Sequence, residues 1–287
     1  MNNRKLAVLL AIASVSTASL ACSISIPGFS VRPNFVPGFD TIETGELQRE
    51  EILVEPQEGI VDLDIGFGGG ELTIRSDGEN LVSGEAAYNV EELAPVLNES
   101  GGRISLTTGE LQLESIPTGV DGKLRNEWDL ALGAYPMHLD LDIGAADADL
   151  DLGGLPLHSL TVDAGAADLT IDFSSPTTAE MDRFDMECGA SSLRLQHLGN
   201  LNTRRITFNG AAGDFDLDFT GGMEAERDLY VELSMAAGQL TITVPEDAAV
   251  SVNVDGAAVD VDTYGPWSRS GNAYTQEGER GSITFDI

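Results

Sequence analysis

At 287 residues the chain has room for one or two domains and a substantial core. Its 48 Asp and Glu against 15 Lys and Arg argue against a broad surface for nucleic acid or anionic lipid. With 42% apolar and 22% charged residues it is not disordered throughout, and 32 glycines suit a chain of many tight turns.

Residues 1–21 have the layout of an export signal. Arg4 and Lys5 open it, Leu6 to Ala13 form a short apolar run, and a small, weakly polar stretch follows. It is too short and too Ser-rich for a membrane span. Its end, Ser19-Leu20-Ala21-Cys22, resembles the lipobox of bacterial lipoproteins, with Ala21 and Cys22 fitting and Ser19 and Leu20 departing. The resemblance implies a lipid on Cys22 and a membrane anchor. The alternative is ordinary cleavage after Ala21, which would leave a secreted chain. Residues 22–40 carry Pro27-Gly28, Pro33 and Pro37-Gly38, the composition of an extended tether.

Residues 41–125 form an amino-terminal β region. Ile52 to Glu55 and Val61 to Ile65 alternate as strands, Gly66 to Gly70 is a turn, and Leu72 to Ile74 restores the alternation. The glycine run is no phosphate loop, because a strand follows it and no Lys-Ser or Lys-Thr does. Further strands are expected at 81–89, 103–106 and 110–113, and Glu91 to Leu97 has a weak helical pattern limited by Pro95.

From residue 126 to 265 one short unit repeats. Copies aligned on their inward phase begin at Leu139, Leu160, Phe184, Ile206, Val231 and Val250, with a period of about 22 residues. Each copy is two short strands around a small joint such as Gly165-Ala-Ala-Asp168. As a corner, the joint makes one coil of a β-solenoid, each strand pairing with its counterpart one repeat later. As a reversal, it makes hairpins and an antiparallel sandwich. The fixed period favours the solenoid, with Leu157, Met181 and Leu201 on a third, shorter side. Residues 266–287, with Ile283 to Ile287 alternating, read as a carboxy-terminal cap, and Tyr264, Trp267 and Tyr274 are expected to close that end.

Several phrases carry a family resemblance. Asn126-Glu-Trp-Asp-Leu130, Leu139-Asp-Leu-Asp-Ile-Gly-Ala-Ala-Asp147 and the Gly-Ala-Ala-Asp-Leu-Thr-Ile stretch of 165–171 resemble bacterial toast-rack and putative-adhesin domains. These are related to the carboxy-terminal domain of LiaF-type cell-wall stress response proteins. Gly70-Glu-Leu-Thr-Ile74 with Leu81 to Asn89 resembles the toast-rack amino-terminal domain. The resemblance implies an extracytoplasmic β-stack and lends no catalytic residue.

Candidate sites are few. Asp142 and Asp163 fall in one outward column and Asp147, Asp168 and Asp214 in another, a weak arrangement for Ca²⁺, against which solvated turn residues are the simpler reading. Arg183 and Arg205 share a column and form a rare basic spot that could grip a carboxylate or phosphate, although Asp182 and Asp185 stand beside Arg183. Cys188 takes an inward position as a buried free thiol. His138, His158 and His197 do not converge with a nucleophile, so neither a catalytic residue nor a cofactor is expected. The sequence therefore describes a non-enzymatic surface lipoprotein presenting a rigid acidic β-repeat for adhesion or envelope interaction. Its partners would be the membrane through Cys22 and an envelope protein or glycan, not nucleic acid. A regulatory module sensing cell-envelope stress is the alternative.

Overall fold

A computed structural model describes residues 29–31, 40–109, 111–113, 117–121, 123–222, 227–256 and 260–287. Cys22 and most of the expected tether lie outside these residues.

Parallel pairing, not hairpin reversal, builds the core of the molecule. Met137–Asp151 pairs in parallel with Leu157–Ala164 and Asp168–Asp172, which pair with Arg183–Gln196. That strand pairs with Arg205–Asp218, which pairs with Asp228–Thr243. Leu139, Leu160, Phe184, Ile206 and Val231 occupy one register, as the repeat predicts. The joint is a corner: most coils run through it as one bent strand. Close approach of neighbouring backbones sets its composition. A Cβ on Gly213 would stand 1.8 Å from the Ser191 carbonyl oxygen, so only glycine fits there.

Because each half of a coil alternates, every second side chain points inward from both sheets. Leu139, Leu141 and Ile143 from one half and Ala148, Leu150 and Leu152 from the other are all buried. The two inner rows meet, as shown by the edge-to-face contact of Phe208 with Phe215 at 5.1 Å between ring centres. The third side is made by the segments between coils. Leu157, Met181 and Leu201 are buried there, and Asn200 donates from Nδ2 to the Phe173 carbonyl at 2.7 Å.

Membership of the stack differs from the expected six copies at both ends. Val61–Gly78 is itself a coil, paired in parallel with Met137–Asp151 through both halves, so the sheet runs unbroken across the boundary placed between residues 125 and 126. The chain leaves after this coil and returns at Met137, the 58 residues between them (79–136) making an insertion that extends both faces. Arg103–Thr108 continues the first face in parallel, and Pro95–Ser100 follows antiparallel. Asn126–Gly133 continues the second face, followed by Val82–Tyr88 and Gln48–Val54, both antiparallel. Asn126–Gly133 is thus an insertion strand and not a repeat. The helical pattern at Glu91 to Leu97 gives only one 3-10 turn, Glu91–Leu93, before the strand at Pro95.

At the other end, the copy beginning at Val250 does not stack on the coil before it. Arg280–Asp286 comes between, pairing in parallel with Asp228–Thr243 on one side and with Ala248–Asn253 on the other. Ala273–Gln276 and Ser268–Ser270 complete this face antiparallel. Tyr274 is buried and Trp267 packs on the core, as a cap requires, but Tyr264 is 91% exposed and closes nothing.

Candidate functional site on the outward rows

Register converts each outward position into a row across the sheet, one residue per coil. The column expected to hold Asp142 and Asp163 is such a row and continues through Glu187, Asn209 and Ser234, whereas Asn253, expected to follow, pairs with Asp286 instead. So is Asp147, Asp168, Ser192, Asp214, Gln239. Neighbours in a row stand about 4.8 Å apart, so like charges in adjacent coils repel. The effect shows at Asp142 and Asp163, which face each other in adjacent coils. Partial burial raises the Asp142 carboxyl above its ordinary range, and Asp163, Asp140 and Asp64 add to the rise. Asp163 is raised the same way, by burial first and then by Glu187 and Asp140.

These rows do not gather into a metal cage. Among the described residues no three His, Cys, Asp or Glu side chains converge to hold an ion. Asp147 and Asp168 are neighbours, but Ser192 separates them from Asp214.

Arg183 and Arg205 start adjacent coils, and each has a carboxylate at hand. Arg183 Nε is 3.2 Å from Asp185 Oδ2. Arg205 reaches Glu232 at 3.7 Å and lies over the Tyr230 ring, 5.1 Å from its centre. Both guanidinium groups remain more than half exposed, so the spot is basic but already partly neutralised.

The histidines occupy separate places. His138 Nδ1 is 2.8 Å from the Ser159 hydroxyl, with the His158 ring 6.0 Å away. His197 follows the strand Arg183–Gln196 in a left-handed conformation (φ 55°), not on the inward phase. Its Nδ1 bonds Asp172 at 2.7 Å, and that hydrogen bond holds its pKa above the ordinary value against the opposing effect of burial. Cys188 is a buried free thiol; burial pushes its pKa up to about 12, which keeps it unreactive.

Two features at the carboxy-terminal end have no counterpart in the sequence reading. An open groove of about 460 Å³ lies over the cap, lined by Ser251, Thr275, Ser282 and Thr284 among others. The alternation of hydroxyl residues in those strands is the signal that could have located it. The second feature is an unpaired sheet edge. Only the first half of Asp228–Thr243, as far as Glu232, meets Arg280–Asp286. Among the described residues nothing pairs with the outer edge of its second half. No helix among the described residues is long and apolar enough to cross a membrane.

Comparison with known proteins agrees with this architecture. Residues 43–183 match the family described as the N-terminal domain of toast_rack, DUF2154. Among solved structures, a putative cell adhesion protein from Clostridium sporogenes is similar at 20% identity, with a TM-score of 0.50, over 84% of this chain and 94% of that one. A putative adhesin from Parabacteroides distasonis is similar at 10% identity and a TM-score of 0.39, over 86% of this chain and all of the other. At 20% identity the likeness to the Clostridium sporogenes structure is one of fold alone. No curated protein matches the sequence.

Proposed function

From the match of residues 43–183 to the toast-rack amino-terminal domain, we propose that the chain is a non-enzymatic protein of the cell surface or envelope. In this reading it is a lipoprotein that holds a rigid acidic β-stack away from the membrane for adhesion or envelope interaction. One observation carries the proposal: successive coils repeat in unbroken register, so their outward residues form straight rows on a stiff face instead of converging in a cleft. Such a surface suits display and recognition. The leader and its Ala21-Cys22 end support anchoring through a lipid on Cys22, with residues 22–40 as the tether.

Capture from envelope extracts on the immobilised chain tests the proposal. Recovery of a surface protein or glycan supports it; a sensor kinase would instead favour the stress-sensing role. Hydrolysis of wall polymer by the purified chain would overturn both readings. The anchor has its own test in cells. Labelled palmitate should enter the native chain and not a Cys22→Ala variant, and label that survives the substitution refutes it.

A further inference from the structure

The outermost coil, Asp228–Thr243, is finished on one face only. Its first half is hydrogen-bonded to Arg280–Asp286, with Leu229 opposite Ile283 and Val231 opposite Phe285. Arg280–Asp286 stops near the corner, where the Ile287 amide donates to the Asn253 carbonyl at 2.9 Å. No strand among the described residues continues this added rung onto the second face. The row of N–H and C=O groups along the outer edge of Gln239 to Thr243 therefore has no ladder partner among the described residues, and such an edge is a template for a further strand.

The side chains there are suited to pairing. One coil below, Phe215, Leu217 and Phe219 are fully buried, while their counterparts Leu240, Ile242 and Val244 are only half-buried. Another rung would cover them. The outward positions also change. Asp216 and Asp218 in the coil below are replaced by Thr241 and Thr243, so Gln239-Leu-Thr-Ile-Thr-Val244 holds neither charge nor proline. Sheet edges are ordinarily protected by charge, proline or a bulge. A chain of formal charge −33 thus leaves the strand 239–244 on this edge uncharged.

We propose that this edge is a docking slot for one extended segment of a partner polypeptide, apolar at alternate positions with Lys or Arg between them. The apolar residues would cover Leu240 and Ile242, and backbone hydrogen bonds to 239–243 would supply the binding. The basic residues would lie on the outer face beside Gln239, Thr241 and Thr243, two rungs (about 9–10 Å) from Asp214, Asp216 and Asp218 and within their attraction. A single strand is the favoured occupant because the cap projects several strands beyond this edge on the first face, where a second copy would have to fit around it. The inference rests on the display function proposed above and specifies its partner as protein, not glycan.

The test uses the full chain and a labelled synthetic peptide, Lys-Val-Thr-Val-Lys-Val-Lys. Binding should be followed by fluorescence anisotropy, with slowed amide exchange confined to residues 239–243 and their immediate neighbours. Methylating the nitrogens of alternate peptide residues, in the two alternative phases, removes ladder donors without changing charge; one phase should weaken binding at least tenfold. An Ile242→Asp variant should weaken it by a similar factor. Equal affinity for both methylated peptides would mean that charge attraction alone is at work, and would overturn the proposal. So would exchange at 239–243 that the peptide leaves unchanged, or that slows with protein concentration alone, which would assign the edge to a second copy. A glycan recovered from envelope extracts, together with failure of the peptide, would overturn this inference and leave the display function standing.

Discussion

At its amino-terminal end the stack is continued on both faces, by Arg103–Thr108 on one and Asn126–Gly133 on the other. At its carboxy-terminal end, among the described residues, four strands extend the first face and none extends the second beyond Gln239 to Thr243. A stack of repeats needs both ends covered because its core is continuous and would otherwise open to water. The amino-terminal end meets that need with antiparallel strands from the insertion and from the segment before the first coil, and the outermost, Gln48–Val54, bears charge at Arg49, Glu50 and Glu51. The carboxy-terminal edge has no such protection. What separates the ends is therefore the chemistry of their last strands as well as the number of strands.

The largest test of this contrast uses one inward row, Leu150, Ile171, Leu195, Leu217, Ile242. Ile171→Ala removes a fully buried side chain between two coils and should cost about 2–5 kcal/mol. Ile242→Ala should cost well under half as much, because its side chain is only half-buried. Urea midpoints measured on both would break the comparison if the two losses were equal. Corner glycines give a smaller difference. Gly213 lies between coils, and Gly238 approaches the Gly213 carbonyl oxygen but has no coil above it. Gly213→Ala should destabilise by more than about 1 kcal/mol, since no relaxed position exists for the new methyl. Gly238→Ala should cost less, as its strand can move outward.

Acidic rows give the next effect. Asp142→Asn should stabilise the chain at neutral pH by roughly 0.2–1 kcal/mol, the size of a like-charge pair across strands. Because Asp142 and Asp163 have raised pKa values when folded, the native chain binds their protons more readily than the unfolded one. Their penalty is present at neutral pH and fades as pH falls through the folded-state values. The advantage of the variant should therefore shrink near about pH 4, where the free carboxyl titrates. His197 has the opposite preference. Its pairing with Asp172 raises its pKa, so the stabilisation is full below the unfolded value of about 6.5 and is lost as pH rises through the folded one. His197→Ala should accordingly cost a few tenths of a kcal/mol on the acid side and nothing at about pH 9. The smallest expected effect is none: adding a calcium chelator should leave the melting temperature unchanged, and a fall of several degrees would restore Asp142, Asp163, Asp147, Asp168 and Asp214 as ligands.

The interior of the stack was legible because alternation and a repeated glycine corner together fix both face and register. Leu139, Leu160, Phe184, Ile206 and Val231 follow from that pattern alone. Val61–Gly78 escaped it for a physical reason. Val61-Asp-Leu-Asp-Ile-Gly66 aligns by eye with Leu139-Asp-Leu-Asp-Ile-Gly144, yet the structure sets Leu139 against Leu63 and Ile143 against Phe67. A shift of two residues keeps every side chain on its own face, so alternation cannot detect it. The Val250 copy failed differently: its pattern was real, but a strand from the end of the chain intervened, and nothing local announces a returning strand. Among the site residues, the row positions of Asp142 and Asp163 could be read in advance. The ion pair of Arg183 needed only its neighbour Asp185, while that of Arg205 needed Glu232 from the next coil.

The parallel pairing of Val61 with Met137 also sets an order of events in time. Interior coils pair with the coil made immediately after them, so they can form as soon as two units exist. The amino-terminal coil must wait until the whole insertion has been made, and closing so long a loop is slow. Folding is expected to begin in the middle of the chain and to recruit its first coil late. In a chain made from its amino terminus, a part made early would then be among the last to settle.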